Sequence, residues 1–198
     1  MHEECKFCIV QTVDGRTARA VRNRDAVIDA AIALLAEGGA PPTAQAIAAR
    51  AGVSTRSVFH HFDDLDALFA DAADLQTRRH WHLLEVATRD LEEALVRRAE
   101  LFERIGATRR FAAAREHDSP VLAERLGESR AALRRHLRGA LGSDLRGVDR
   151  ATVAAVEAAA SWEMWEVLRR HQGLSVNSAI TAVRTLVEHT LQPTRALQ

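Results

Sequence analysis

Thr55, Arg56, Ser57, His60 and His61 stand within one seven-residue stretch, and each carries a side chain that makes directional hydrogen bonds. An arginine fork takes O6 and N7 of a guanine together, while Ser, Thr and His reach either base edges or phosphates. Upstream, Arg16, Arg19, Arg22 and Arg24 form a basic arm of the kind that lies along a phosphate backbone or in a minor groove. The chemistry on offer is recognition of a nucleic acid, with no bond made or broken. Cys5 and Cys8 are a second candidate group, since C-x-x-C spacing suits a metal or a redox couple. Structural zinc asks for four ligands, and His2 supplies at most a third from nearby sequence. A flexible leader and a thiol-based sensor both remain open for this segment.

Catalysis finds little support. A carboxylate-bridged metal site in a helical bundle needs Glu-x-x-His pairs, and none of the nine histidines has a Glu three positions earlier. H-E-x-x-H, G-x-S-x-G and P-loop patterns are absent as well. The chain is therefore expected not to be an enzyme, with no catalytic residue, no metal and no cofactor.

The polar stretch needs helices to hold it. Ile28, Ala31, Ile32 and Leu35 recur at i, i+3, i+4 and i+7, which predicts a helix from Arg22 to Glu37. Gly38-Gly39 ends it, and Pro41-Pro42 keeps it from resuming at once. Thr43 is placed as the N-cap of a second helix reaching Ala51, Gly52 makes the turn, and a third helix runs from Thr55 to Phe62. Ile47, Ala48, Ala51, Val53 and Val58 are expected to clamp the pair together. With Val58, Phe59 and Phe62 assigned inward, the five polar residues are left outside. An ordinary αα-corner shares this turn and clamp but does not call for the polar outer face.

The run Ala51-Gly52-Val53-Ser54-Thr55-Arg56-Ser57-Val58-Phe59-His60-His61-Phe62, with Thr43 and Ile47-Ala48 ahead of it, resembles the TetR family of transcriptional repressors. The likeness covers about the first third of the chain; beyond it only length and helical layout match. It implies an all-α fold, with an N-terminal three-helix helix-turn-helix DNA-binding domain and a C-terminal helical ligand-binding and dimerisation domain. The boundaries expected are a flexible leader with basic arm over 1–20, the helix-turn-helix domain over 21–65, and the effector-binding and dimerisation domain over 66–198. The resemblance further implies a homodimer that binds a palindromic double-stranded DNA operator and is released by a small effector.

By position, Thr43 and Ser54 correspond to phosphate-contacting or capping sites of the family, and Thr55, Arg56, Ser57 and His60 to groove-facing positions. His61 corresponds to a position that often meets the backbone. Two departures matter. Phe59 stands where the family often has Tyr, which removes a hydroxyl from the phosphate, and Leu65 stands in the usual Lys place within Asp63-Asp64-Leu65-Asp66. Those acids suit the N-terminus of a fourth helix. The departures keep open a helical ligand- or partner-binding protein with weak DNA binding.

The remaining two thirds read as successive helices. Pro120 suits the first turn of one running from Ser119 to Arg138, and Asp149 caps the next, expected as a continuous helix to Gln172. That helix is apolar on two sides: Val153, Val156, Ala160, Met164 and Val167 make one stripe, and Ala155, Ala159, Trp162 and Trp165 another. The last helix, Ser175 to Leu191, carries Ile180, Val183, Leu186, Val187 and Leu191. In the family the last two helices pair with their symmetry mates, which points to Ala159, Trp165, Val183, Leu186, Val187 and Leu191 as a dimer interface. Stripes serving only an internal core would give the same pattern. A twofold dimer places two recognition helices in successive major grooves, roughly 34 to 36 Å apart. The effector pocket is expected among Trp81, His82, Phe102, Arg109, Phe111, His117, His136, Trp162 and Met164, and their mix favours a hydrophobic or amphipathic molecule.

Composition agrees with this reading and sharpens its electrostatics. The 198 residues are 47% apolar but only 5% aromatic, with 37 Ala and no Tyr, which favours helices over sheets. No stretch approaches the roughly 20 apolar residues of a membrane span, so a cytoplasmic protein without membrane contact is expected. The 27 cations balance 27 acids, which excludes a polybasic coat. Residues 15–62 nevertheless hold six Arg against three acids, leaving +3 there and −3 over the rest. Every cation except Lys6 is the planar, bidentate arginine.

Overall fold

The computed structural model of the protein describes residues 15–85 and 90–192. The readings placed on Cys5, Cys8 and the leader lie outside the described residues. Those described form ten α-helices and one π-helical turn, with no strand.

The first helix, α1 (Gly15–Glu37), starts seven residues before the expected Arg22, so that Arg19, Arg22 and Arg24 ride on it. It is followed by α2 (Ala44–Ala51) and α3 (Thr55–His61). The Thr43 side chain accepts a hydrogen bond from the Ala46 amide at 3.2 Å, and Ser54 accepts one from the Ser57 amide at 3.1 Å. Each hydroxyl thus satisfies one of the free amides of a helix start. Between the two helices Gly52 has φ +67° and its amide closes on the Ala48 and Ala49 carbonyls, a left-handed stop that a side chain would strain. Asp64 caps α4 (Leu65–His80) by accepting from the Ala67 amide at 2.8 Å, as the acid run predicts.

The body comprises α5 (His82–Glu85), α6 (Leu91–Arg115), α7 (Pro120–Ala140), α8 (Arg150–Ala159), α9 (Trp162–Glu166), a π-turn (Val167–His171) and α10 (Val176–Leu191). The expected continuous helix from Asp149 to Gln172 is in fact broken. Asp149 caps α8, but the helix stops at Ala160, where Ser161 turns extended and caps α9 through the Met164 amide at 3.1 Å. Serine competes for backbone amides and so favours a new start over a helix interior. The π-turn then adds a residue to the register, which leaves Val167 exposed and buries Leu168 in its place.

Two apolar cores hold these helices. One gathers Val27, Ile28 and Ala31 of α1, Ile47 of α2, Val58 of α3, Phe62, and Leu68 and Phe69 of α4. It continues into Ala112 of α6 and Leu122 and Leu126 of α7, and the Phe69 and Phe111 rings meet at 4.4 Å. No break in packing falls at residue 65: α4 shares this core with α1, α2 and α3 on one side and with α6 and α7 on the other. The second core joins α6, α7, α8, α9 and α10 through Phe102, Ile105, Leu137, Val156, Trp165 and Val187.

Candidate functional site

The polar face expected on α3 is present. Thr43, Ser54, Thr55, Arg56 and His60 are exposed, and Ser57 and His61 are half-buried. Phe59 corrects the inward assignment: it is 51% exposed, while Val58 is fully buried and Phe62 nearly so. On a seven-residue helix only one narrow stripe faces the core, and Val58 with the cap residue Phe62 fills it. The outer face is thus a row of hydrogen-bonding groups with one aromatic ring among them. Burial, followed by the nearby charges of His60 and Arg24, holds the His61 imidazole below its ordinary pKa.

Charge on this face comes from fewer arginines than the sequence offers. Arg24 pairs with Asp71 of α4 and lies 5.1 Å over the Phe62 ring, which makes it a strut between helices and removes it from the arm. Arg50 pairs with Glu37 at 2.7 Å. Arg19, Arg22 and Arg56 are exposed and have no ion pair among the described residues. These three cations are the ones available to a polyanion.

The expected dimer residues divide. Ala159, Trp165, Val183 and Val187 are buried inside this chain's own core and cannot face a partner as they stand. Leu186 is 42% exposed and Leu191 half-buried. On α8 the outward positions are Ala151, Ala154, Ala155 and Ala158.

The expected pocket residues also separate. Phe111 belongs to the head–body core, Phe102 packs on Trp165 at 6.3 Å between ring centres, and Met164 lies half-buried against the same core. Trp81 lies on a groove between α4 and α7. His136 contacts the Leu84 carbonyl at 2.9 Å, and His82 and His117 are exposed. Only Arg109 and Trp162 come together, on the wall of a cavity of about 340 Å3 bounded by α6, α7, α8 and α9. The Arg109 guanidinium stacks 5.4 Å over the Trp162 ring.

Sequence reasoning missed the other arginines of this cavity. Arg98 is buried, with Nε and Nη2 donating to the Ala160 carbonyl at 3.2 and 2.8 Å and Nη1 to the Leu133 carbonyl at 3.1 Å. It satisfies the carbonyl left free at the α8 break, where helix-end dipoles favour a cation. Arg130 grips both oxygens of Glu116 at 2.6 and 2.8 Å and donates Nε to Glu163 at 2.7 Å, which holds the Glu116 carboxyl below the usual range. The signal was in the spacing: Arg98, Phe102, Ile105, Arg109 and Ala112 occupy one buried stripe of α6, so two arginines stand at core positions of its repeat. Burial brings the pKa of each down to about 10, which still leaves both charged near neutrality.

Comparison with known proteins bears on the head first. Residues 27–72 match the sequence model of the bacterial regulatory proteins, tetR family. No curated protein sequence matches the chain. Among solved structures, a transcriptional regulator from Rhodococcus sp. Rha1 is similar with TM-score 0.65 and 22% identity, over 87% of this chain and 96% of that one. A candidate transcriptional regulator from Pseudomonas aeruginosa PAO1 gives 0.64 and 20%, over 86% and 91%. A TetR transcriptional regulator from Rhodococcus sp. RHA1 gives 0.53 and 18%, over 88% and 97%. At such identities the likeness is one of fold, and it extends well past the head. Residues 27–72, with their capped α2–α3 turn and polar α3 face, are thus similar to the bacterial regulatory proteins of the tetR family, and the described helices as a whole share the fold of these solved structures.

Proposed function

We propose that the protein is a ligand-responsive repressor that binds a palindromic DNA operator as a homodimer and is released by a small effector. The observation that carries this reading is the outer face of α3, where Thr55, Arg56 and His60 are exposed, together with the exposed Arg19 and Arg22 of α1, which have no ion pair among the described residues. In that arrangement α3 enters a major groove, Arg56 reads a base edge, and the α1 cations hold the backbone. Ser54 and Thr43 place helix N-termini against phosphates. Dimerisation uses α8 and α10, whose outward Ala151, Ala155 and Leu186 supply a low-relief surface in place of the four buried residues. Effector binding in the body shifts the balance between arrangements of the two heads through α4, which shares one core with α1, α2 and α3 and with α6 and α7 of the body.

Selection of binding sites from random double-stranded DNA by the purified protein tests this reading. Enrichment of a palindrome whose half-sites lie about one helical turn apart, or a multiple of it, is the expected result. A pool without enrichment overturns it.

A further inference from the structure

Arg109 is 3% exposed and makes one strong contact, from Nη1 to the Ser129 hydroxyl at 2.7 Å. Its Nε and Nη2 are buried and have no hydrogen-bond partner among the described residues, and neither has Nε1 of Trp162. The Glu163 carboxylate nearest to Arg109 lies 3.8 Å from Nη2, beyond hydrogen-bond reach, with the same oxygen taken by Arg130. The other acid on the cavity, Glu157, pairs with Arg138. Both acids are therefore engaged elsewhere, and Arg98 is met only by carbonyl oxygens. The cavity carries positive charge without an anion to match it.

The two unpartnered nitrogens of Arg109 form one edge of its guanidinium, the fork that donates to both oxygens of a carboxylate. A buried donor left unpaired is costly, so an oxyanion arriving here gains what the free protein lacks. Beside these donors the wall is apolar, through Leu133, Leu137, Ala154 and Ala158. We infer that the cavity bounded by α6, α7, α8 and α9 takes a small organic carboxylate, its carboxyl held by the Arg109 fork and the Trp162 indole and its apolar body laid along Leu133 and Leu137. The site sharpens the effector of the proposed repressor from an amphipathic molecule to an amphipathic acid, and to that extent rests on that reading. Binding of the acid itself needs no DNA.

Calorimetric titration of the full-length protein with octanoate and phenylacetate, against octanamide and phenylacetamide, tests the inference. An acid is expected to bind about tenfold or more tightly than its amide, the worth of a charge-assisted hydrogen bond, and to change the tryptophan fluorescence. Arg109→Gln abolishes that preference, Arg109→Lys keeps part of it, and Trp162→Phe weakens it while the cavity stays filled. Helical circular dichroism checks that each variant is folded, and the acid-over-amide comparison in the wild type needs no variant at all. Equal binding of acid and amide, binding of neither acid, retention of the preference in folded Arg109→Gln, or displacement of the acid by inorganic phosphate overturns the inference. Enrichment of a palindrome with no acid preference removes the carboxylate site and spares the repressor; acid preference with an unenriched DNA pool does the reverse.

Discussion

Arg115, in the last turn of α6, donates Nε and Nη2 to one oxygen of Asp66 in the first turn of α4, at 2.9 and 2.8 Å. The pair ties the helix that carries Arg98 and Arg109 to the helix that directly follows α3. Both partners are partly exposed, so the bond itself contributes under about 1 kcal/mol to stability. Asp66→Asn is expected to leave the unfolding midpoint almost unchanged while reducing the factor by which an effector weakens DNA binding. Operator affinity with and without bound acid, in wild type and variant, measures that factor; an unchanged factor would show that coupling runs through the Phe69–Phe111 core alone.

Arg56 is the exposed, unpaired fork on the face of α3. Arg56→Ala is expected to weaken binding to a selected site by about 1 to 3 kcal/mol and to relax the sequence requirement at one position of each half-site. Arg19→Ala, by contrast, should weaken all sequences alike and flatten the salt dependence. Fluorescence anisotropy across a salt series, on matched and mismatched sites, separates the two behaviours.

Adjacent residues of α3 offer a second contrast. Val58 is fully buried and Phe59 is 51% exposed. Val58→Ala should cost about 1.5 to 3 kcal/mol of stability, whereas Phe59→Ala should cost less than about 0.5 kcal/mol and act on DNA affinity instead. Denaturant unfolding beside a DNA titration reads both; a large loss of stability from Phe59→Ala would contradict the exposed placement.

Operator affinity should depend on pH through His61. In the free protein, burial and then the charges of His60 and Arg24 hold its pKa below the ordinary value. A phosphate nearby favours the imidazolium and raises the pKa in the complex, so binding takes up protons. The gain is complete below the free-state pKa and is lost as pH rises through the bound-state value. Affinity is thus expected to fall as pH rises from below the free-state pKa, itself under the ordinary histidine value, through the bound-state one, with a smaller slope in His61→Gln. An identical slope in that variant would place His61 away from the backbone.

The head was legible in the sequence because its signals are local. Thr43, Gly52, Ser54 and Asp64 each act on a neighbour within a few residues, and each does so as expected. Phe59 was misassigned because apolar type says nothing about which face of a seven-residue helix is already full. In the body, two-sided apolar helices bury one side within the chain, and periodicity does not say which: Ala159, Trp165, Val183 and Val187 fall in this chain's own core, and Leu186 outside it. Of the residues expected at the effector pocket, Arg109 and Trp162 line the cavity, while Phe102 and Phe111 pack into the two cores. What marks the cavity is charge at core positions, Arg98 and Arg109 within the stripe of α6, together with a helix break at Ser161 that only the folded chain makes visible.

That break has a mechanical side. Ala160 sits at φ −96° and ψ 15°, and Ser161 at φ −78° and ψ 161°, so the chain passes from helix to extended and back within two residues. Before it, α8 runs beside α10; after it, Trp162 opens α9 and walls the cavity. Had the helix been continuous, a push on Trp162 would have bent a rod or tilted it whole. With the rod cut, a load on Trp162 is not carried along α8 as it would be along one helix but reaches α8 through the shared core and through the Arg98 fork, which clamps the Ala160 carbonyl at the break.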